Sequence, residues 1–204
     1  KPSQLVEEFD ESLRALAEDL CHTVVANYGA GIAAPQVGVH RQVCVLDSQY
    51  VPDLLKETFD ESWSGYVVLV NPEIQTIGEG TFIWEEACLS VPRVKGRVTR
   101  YEKIRLTYYN LSGEKIDAEL SDIQAATVQH EVDHLFGKLY IHRMKGFERS
   151  RITKQLRKNY KSASASSSSK ASSELGKLSD AKRKILRNKR KKKNKQKKAH
   201  RKNK

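Results

Sequence analysis

Two histidines in this sequence have the spacing of a metal site. His130 and His134 are four residues apart in a segment predicted to be helical, so their imidazoles lie on one face with Cβ atoms about 5 to 6 Å apart. Two imidazoles at that separation can bind one metal ion. Glu131 lies beside the metal axis, where its carboxylate could take a proton from metal-bound water. The pattern alone also fits a surface helix that carries two histidines and some acids.

The third ligand decides the kind of metal site. Tyr140 stands six residues after His134, where the long metzincin motif has a third histidine. A downstream glutamate could also supply the third ligand, but those present are Glu148, close to the end of the helix that carries both histidines, and Glu174, in a serine-rich stretch. A metallopeptidase site is therefore incomplete. Cys88 is the alternative, because a thiolate and two imidazoles leave a fourth position open to water, as in catalytic sites. On its own, Cys88 would be interpreted as a small buried hydrophobe.

The elements that must position these residues are short strands around a helix. Apolar residues at helical spacing predict an amphipathic helix over about 4 to 27. Ser121, with Gln124 three residues later, predicts a capping box for the helix that carries both histidines and closes near Gly137. Strands are predicted at 42–46, 66–70, 81–85, 104–109 and 115–120, and a further helix at 147–160. We therefore predict an α+β fold of antiparallel strands packed around the central helix, with a C-terminal helix and a disordered basic tail.

Charge divides the 204 residues into two parts. Residues 1 to 145 contain 14 basic and 22 acidic residues, a net charge of −8. Residues 146 to 204 contain 23 basic and three acidic residues, a net charge of +20, and 15 of the 23 residues from 182 onward are Lys or Arg. We predict a globular domain at 1–145, a helix at 146–160, a flexible Ser/Ala-rich linker at 161–181, and a disordered Lys/Arg-rich tail at 182–204.

Cysteine usage and hydropathy limit the compartment. Cys21, Cys44 and Cys88 are an odd number at irregular spacing, which argues against a disulfide framework and for a reducing compartment. We interpret Cys21 and Cys44 as small buried hydrophobes. No stretch approaches the roughly 20 apolar residues of a membrane span, and the first residues are too acidic and polar for a secretory signal. We expect a protein that is neither secreted nor bound to a membrane.

Three segments resemble, in order and spacing, the three motifs of the peptide deformylase family. They are Gly29-Ala-Gly-Ile-Ala-Ala-Pro-Gln36, Glu86-Ala-Cys-Leu-Ser90 and Gln129-His-Glu-Val-Asp-His134, within a resemblance over about residues 1 to 145. The resemblance implies a catalytic domain that hydrolyses the formyl group of N-terminal formyl-methionine on newly synthesised polypeptides, releasing formate. It implies one divalent metal ion as cofactor, Fe²⁺ first, with Zn²⁺, Ni²⁺ or Co²⁺ as substitutes.

The resemblance also implies a role for each motif residue. Cys88, His130 and His134 would bind the metal, with Glu131 as general base and proton shuttle. Gln36 and the backbone N–H of Leu89 would bind the developing oxyanion. The glycine-rich loop would align the peptide as an added strand, and positions one and two turns before His130 would line the methionine pocket. The substrate-binding residues so implied are Gly29, Ala30, Gly31, Ala87, Ile123, Ala126 and Thr127. Gln36 could otherwise cap the loop, and the helical positions could be ordinary core.

Two positions bear on substrate choice. The family usually has glycine where this chain has Ala87, and a methyl group beside the metal ligand could narrow the cleft. Lys95 or Arg97 could supply the cationic substrate contact that an arginine often makes in the family, and the sequence does not choose between them.

The expected partners follow from the resemblance and from the tail. They are formyl-methionine nascent peptides and, through residues 146–204, ribosomal RNA near the exit tunnel; a solvated arm, nuclear localisation and nonspecific polyanion binding are the alternatives. We expect a monomer in a bacterial-type cytoplasm or an organelle. The rival functions are a metallopeptidase and a catalytically retired RNA-binding protein. Neither accounts for the glycine-rich loop, and the intact set of chemical groups argues against retirement.

Overall fold

The computed structural model describes residues 1–50 and 65–162. The predicted basic tail, and the predicted linker from residue 163 onward, lie outside these residues. The chain divides into two compact units, Lys1–Thr153 and Lys154–Lys204. The first unit contains every strand of the described residues, and in the second unit residues 154–162 are helical.

Seven antiparallel strands form two sheets in the described part of the chain. The larger sheet has the order β1-β2-β3-β6-β7, and the smaller one pairs β4 with β5. The bounds are β1 Gly31–Ala33, β2 Val43–Asp47, β3 Tyr66–Thr76, β4 Thr81–Cys88, β5 Val91–Tyr101, β6 Lys103–Tyr109 and β7 Lys115–Ser121. Four α-helices accompany them in residues 1–50 and 65–162: α1 Glu11–Ala26, α2 Asp122–Leu135, α3 Tyr140–Arg143 and α4 over 146–162.

The larger sheet is buried on both faces at β2 and the adjoining parts of β1 and β3. Ala125, Val128 and Leu135 of α2 pack with one set of strand residues, and Leu13, Leu20 and neighbouring apolar residues of α1 pack with the alternate set. Burial on both faces explains why β2 is a continuous apolar run instead of an alternating pattern. Cys44 lies in the core on the α2 side and Cys21 in that on the α1 side, both as free thiols, which confirms their interpretation as buried hydrophobes.

The first helix begins later than the sequence predicts. It starts at Glu11 instead of near residue 4, because the side chain of Asp10 accepts a hydrogen bond from Leu13 N–H at 3.0 Å and so caps the helix. The preceding residues are extended. Ser3 N–H donates to the carbonyl of Leu135 at 2.8 Å, and Val6 N–H donates to Asn71 Oδ1 at 2.8 Å. These long-range bonds outweigh the local helical pattern.

The predicted capping box of α2 is wrong. Ser121 is the N-cap residue, but its side chain makes no capping hydrogen bond. Ser121 still pairs with Lys103 as the last residue of β7, and Asp122 then turns the chain with a left-handed φ of 53°. Asp122 N–H donates to the carbonyl of Glu102 at 2.9 Å. The other end agrees with expectation, since Gly137, at φ 69°, follows the helix.

Strands β1 and β5 are absent from the sequence-based prediction. β5 alternates buried and exposed residues from Val94 to Tyr101, but glycine and arginine occupy two of its inward positions, Gly96 and Arg100. Because neither residue is apolar, the sequence lacks the alternation of apolar and polar residues that would indicate a strand. No helix in the described part of the chain has the length and apolar character needed to cross a membrane.

Candidate metal centre

Cys88, His130 and His134 converge on one point. Cys88 is the last residue of β4, and both histidines are on α2. The distance from Cys88 Sγ to His134 Nε2 is 3.3 Å, and the two Nε2 atoms are also 3.3 Å apart. The three donor atoms all lie within 4.8 Å of one another. One thiolate and two imidazole nitrogens at these distances fit a single metal ion with a fourth position for water.

The protonation state of these groups favours a thiolate. Burial raises the pKa of Cys88, but hydrogen bonds with His130 and His134 outweigh burial and bring the pKa down to about 6. Burial lowers the pKa of His130, yet the hydrogen bonds to Cys88 and Glu86 raise it to about 10. Without a metal, the centre therefore holds a thiolate beside an imidazolium. Metal binding must release the His130 proton.

Glu86 orients His130 from the side opposite the metal position. The distance from His130 Nδ1 to Glu86 Oε2 is 2.7 Å. With Nδ1 held by a carboxylate, Nε2 is directed toward Cys88, an arrangement that fixes the ring and raises its basicity. Burial raises the pKa of Glu86, but the hydrogen bonds from Arg100 and His130 outweigh burial and lower it.

Glu86 belongs to a buried ionic network that the sequence does not predict. Arg100 donates to Glu86 at 2.6 and 2.9 Å and to Asp133 Oδ2 at 2.6 Å. Arg143 donates from Nε to Asp133 at 3.0 Å and forms a second bond from its terminal nitrogen. The network joins β4, β5, α2 and α3 behind the metal centre. Glu86 lies in the second motif and Asp133 in the third, which was the available signal for their importance.

Glu131 is buried beside the metal centre and only partly satisfied. Its side chain is among the buried groups, and Oε2 has no hydrogen-bond partner among the described residues. Burial raises its pKa, although His130 and His134 oppose the effect. Oε1 lies against β1, where a Cβ on Gly31 would be only 2.9 Å from it. A carboxylate so placed can accept and return a proton.

Gln36 has a fixed orientation. Its Oε1 accepts a hydrogen bond from Ala33 N–H at 2.8 Å, at the start of the 3₁₀ turn Ala34–Val37. Its Nε2 donates to Ser90 Oγ at 3.0 Å and lies 3.6 Å from Cys88 Sγ. Gln36 therefore both caps the loop, through Oε1, and faces Cys88, through Nε2.

A cavity of about 860 Å³ opens onto this centre. Its walls are the loop into β1, the β4–β5 hairpin and one face of α2. All of the predicted site residues except His134 line this cavity. They are Gly29, Ala30, Gly31, Gln36, Ala87, Cys88, Leu89, Ile123, Ala126, Thr127, His130 and Glu131. Lys95 lines the cavity and Arg97 does not. Tyr28, Trp84 and Arg93 also line it, and the sequence does not single them out.

The fold and the site define a class of protein: an α+β protein with a candidate Cys-His-His metal site beside a buried glutamate. The sequence model of the polypeptide deformylase family matches residues 1–150. The chain belongs to the peptide deformylase family, whose members are metal-dependent hydrolases that remove N-formyl groups. The family, enzyme class and fold class expected from the sequence are confirmed.

Individual relatives agree with this assignment. The chain is 39% identical to the peptide deformylase of Teredinibacter turnerae over 156 residues, which are 76% of this chain and 86% of that protein. It is 37% identical to the peptide deformylase of Acidobacterium capsulatum over 158 residues, 78% of this chain and 87% of the relative. The crystal structure of a peptide deformylase from Legionella pneumophila superposes with a TM-score of 0.66 at 31% identity, over 80% of this chain and 90% of that one.

Proposed function

We propose that this chain removes the formyl group from N-terminal formyl-methionine of newly synthesised polypeptides, with Cys88, His130 and His134 as the ligands of one divalent metal ion. The observation that carries the proposal is Glu131. Its carboxylate is buried, has one oxygen without a partner among the described residues, and lies beside three converging metal donors. Burying such a group without a partner is costly, and a proton-transfer role accounts for its retention.

We propose Fe²⁺ as the resident ion, with Zn²⁺, Ni²⁺ or Co²⁺ able to replace it. The donor set supports a transition metal over Mg²⁺ or Ca²⁺, because a thiolate and imidazoles are soft or borderline ligands. The preference for iron rests on the family resemblance. When bound, the ion would lower the pKa of a water molecule and polarise the formyl oxygen.

The protein groups each have a task in this reaction. Glu131 takes a proton from the attacking water and returns it to the leaving amine, a cycle that its raised pKa favours. Gln36 donates from Nε2 to the oxygen on which negative charge develops, since its Oε1 is already engaged by Ala33. The N–H of Leu89, in the turn between β4 and β5, is the proposed second donor. Loss of one such donor typically reduces the rate by about 100 to 1,000-fold.

The peptide is proposed to bind as an added strand. Within the described sheets, β1 is an edge strand and β4 pairs with β5 alone. Gly29, Ala30 and Gly31 lie on the β1 side of the cavity and Ala87 lies on β4. An extended peptide between them can bond to both edges. The pocket for the methionine side chain is formed by Ile123, Ala126 and Thr127 on α2.

Formate release from formyl-Met-Ala-Asn-amide by the full-length, anaerobically metal-loaded protein tests this proposal. We expect turnover in the wild type and a loss of at least about 100-fold in Glu131→Gln, with stoichiometric metal retained in both. Glu79→Gln is the matched control, because Glu79 is exposed in the turn between β3 and β4 and should leave the rate unchanged. Absence of formate from metal-replete wild type would contradict the proposed function.

We further propose that residues 146–204 bind ribosomal RNA. The support is the +20 net charge of that segment beside a domain of −8, since neutralised phosphates give strong, salt-sensitive binding. Truncation after Tyr160 should abolish co-sedimentation with ribosomes at low salt. Unchanged co-sedimentation would exclude the tail as the ribosome-binding segment.

A further inference from the structure

Strand β5 bulges beside the metal centre. Ala87 pairs with Lys95, but the next residue of β4, Cys88, pairs with Val91. Residues 92–94 consequently have no partner on β4. Bulges of this kind occur next to active sites, where they re-aim a side chain. The middle residue of this bulge is Arg93.

The backbone of Arg93 is held in an unfavourable conformation. Its φ is 62°, in the left-handed region that residues with a side chain rarely adopt. Both of its neighbours are restricted in their backbone bonding. Pro92 cannot donate to the ladder, and the buried hydroxyl of Tyr140 donates to the carbonyl of Val94 at 3.0 Å. Strain kept in place by surrounding structure is typical of functional positions.

The side chain that this bulge presents is a cation in the cavity wall. Arg93 lines the cavity and is exposed. Lys95, the other lysine or arginine of the lining, lies 3.9 Å from Glu85, which also lines the cavity. Arg93 forms no ion pair with residues in 1–50 or 65–162. Of the lysine and arginine residues in the lining, Arg93 is thus the one whose side chain has no acidic partner within that part of the chain.

We propose that Arg93 is a specificity-determining residue that binds a carboxylate side chain of the substrate at the second or third residue of the formyl peptide. This inference rests on the proposed deformylase function. A guanidinium fits a carboxylate with two parallel hydrogen bonds, and Arg93 lines the same cavity as Cys88 and Ala87 of β4, along which the peptide is proposed to bind. The enzyme should therefore prefer formyl-methionyl chains that have an acidic residue at the second or third position.

The test compares isosteric peptides that differ in one charge. All peptides are C-terminally amidated, so that only the side chain supplies a carboxylate. The pairs are formyl-Met-Asp-Ala-amide with formyl-Met-Asn-Ala-amide, and formyl-Met-Ala-Asp-amide with formyl-Met-Ala-Asn-amide. We expect kcat/KM of the full-length enzyme to be about two- to fivefold higher for Asp than for Asn in at least one pair, the range typical of an exposed ion pair. The ratio should approach one at high salt.

Two variants assign the effect to Arg93. In Arg93→Gln the ratio of Asp to Asn rates should fall to about one. Arg97→Gln is the matched control, because Arg97 is an exposed cation on the same strand that does not line the cavity, and its ratio should equal that of the wild type. A wild-type ratio of one in both pairs would overturn the proposal, as would a ratio that survives Arg93→Gln or is lost equally in Arg97→Gln.

The same assay separates this proposal from the proposed function. Formate release from the Asn peptides establishes deformylation whatever the ratio is, so a failed preference leaves the function intact. Absence of formate from all four peptides would overturn the proposed function, and the assignment of Arg93 with it. C-terminal carboxylates are tested by a free-acid version of each Asn peptide. A gain there without a gain for Asp would refute a side-chain site.

Discussion

Cys88 differs from the other two cysteines in its chemistry. Its pKa is lowered to about 6, because hydrogen bonds with His130 and His134 outweigh burial. Burial raises the pKa of Cys21 to about 12 and that of Cys44 well above its ordinary value. At pH 7, therefore, Cys88 is a thiolate and the other two are inert thiols.

This difference predicts selective alkylation. Iodoacetamide at pH 7 should modify Cys88 in the metal-free protein much faster than Cys21 or Cys44, and a bound metal should protect Cys88 by occupying its sulfur. Mass spectrometry of tryptic peptides after timed quenching measures all three sites in one sample. Equal rates at Cys88 with and without stoichiometric metal would show that the ion binds elsewhere.

The strained backbone of Arg93 makes a second prediction at the residue scale. A left-handed φ costs a residue with a Cβ about 1 to 2 kcal/mol. Glycine avoids this cost, but the greater conformational entropy of its unfolded chain offsets part of the gain in stability. We expect Arg93→Gly to be more stable than Arg93→Ala by about 0.5 to 1 kcal/mol in urea unfolding. The alanine variant keeps the Cβ and isolates the backbone effect. A glycine variant that is less stable than the alanine variant would show that the bulge is unstrained.

At the scale of elements, β1 and α2 meet without space for a side chain. A Cβ on Gly31 would lie 2.9 Å from Glu131 Oε1 and 2.9 Å from the backbone carbonyl of Val45. The carbonyl cannot move without disturbing the pairing of β1 with β2, which includes Gly31 opposite Leu46. A Cβ at position 31 must therefore displace the Glu131 carboxylate.

Gly31→Ala should accordingly damage catalysis more than folding. We expect formate release to fall by at least about tenfold, as small misplacements of catalytic groups do, while metal content stays stoichiometric. Gly80→Ala is the control, because its Cβ would meet the carboxylate tip of Glu102, an exposed and flexible side chain. An active Gly31→Ala enzyme would mean that the Glu131 carboxylate tolerates displacement.

The sequence predicts elements well where their signal is local. The ligand spacing on α2 follows from helical geometry, and β6 and β7 follow from alternation around the turn with Gly113, which has φ 79°. The prediction fails where the signal is long-range. β5 has Arg100 on its inward side, which resembles an exposed polar position until Glu86 and Asp133 are known to face it. A local sequence pattern contains no information about ion pairs between residues that are far apart in the chain.

At the largest scale, that buried ionic network links the smaller sheet to helices α2 and α3. Removing one partner of a buried pair leaves an uncompensated charge and typically costs about 3 to 5 kcal/mol. The pKa of Asp133 is lowered, because hydrogen bonds from Arg143 and Arg100 outweigh the opposing effect of burial; the pKa of Glu86 is lowered in the same way. Lowered values mean that the carboxylates stabilise the fold above their ordinary pKa and lose this contribution as the pH falls through the lowered values.

Asp133→Asn tests this linkage. At pH 7 we expect a loss of about 3 to 5 kcal/mol in the free energy of unfolding. The difference from wild type should shrink as the pH falls below about 4, the ordinary pKa of an aspartate, because the unfolded wild-type chain then takes up a proton at this position before the folded protein does. Urea titrations between pH 7 and pH 2.5 measure both, with Asp19→Asn, an exposed acid of α1, as control. A difference that is constant over the whole range would show that ionisation of Asp133 does not contribute.

Helix α2 belongs to the core and to the metal centre at once. Val128, Val132 and Leu135 pack in the apolar core against the larger sheet, while His130 and Glu131, in the same stretch of the helix, line the cavity. Thermal unfolding of this helix must displace the site residues, and loss of its core packing must unfold the helix. Inactivation and unfolding should thus be a single event, and the activity left in a heated sample counts the molecules that are still folded.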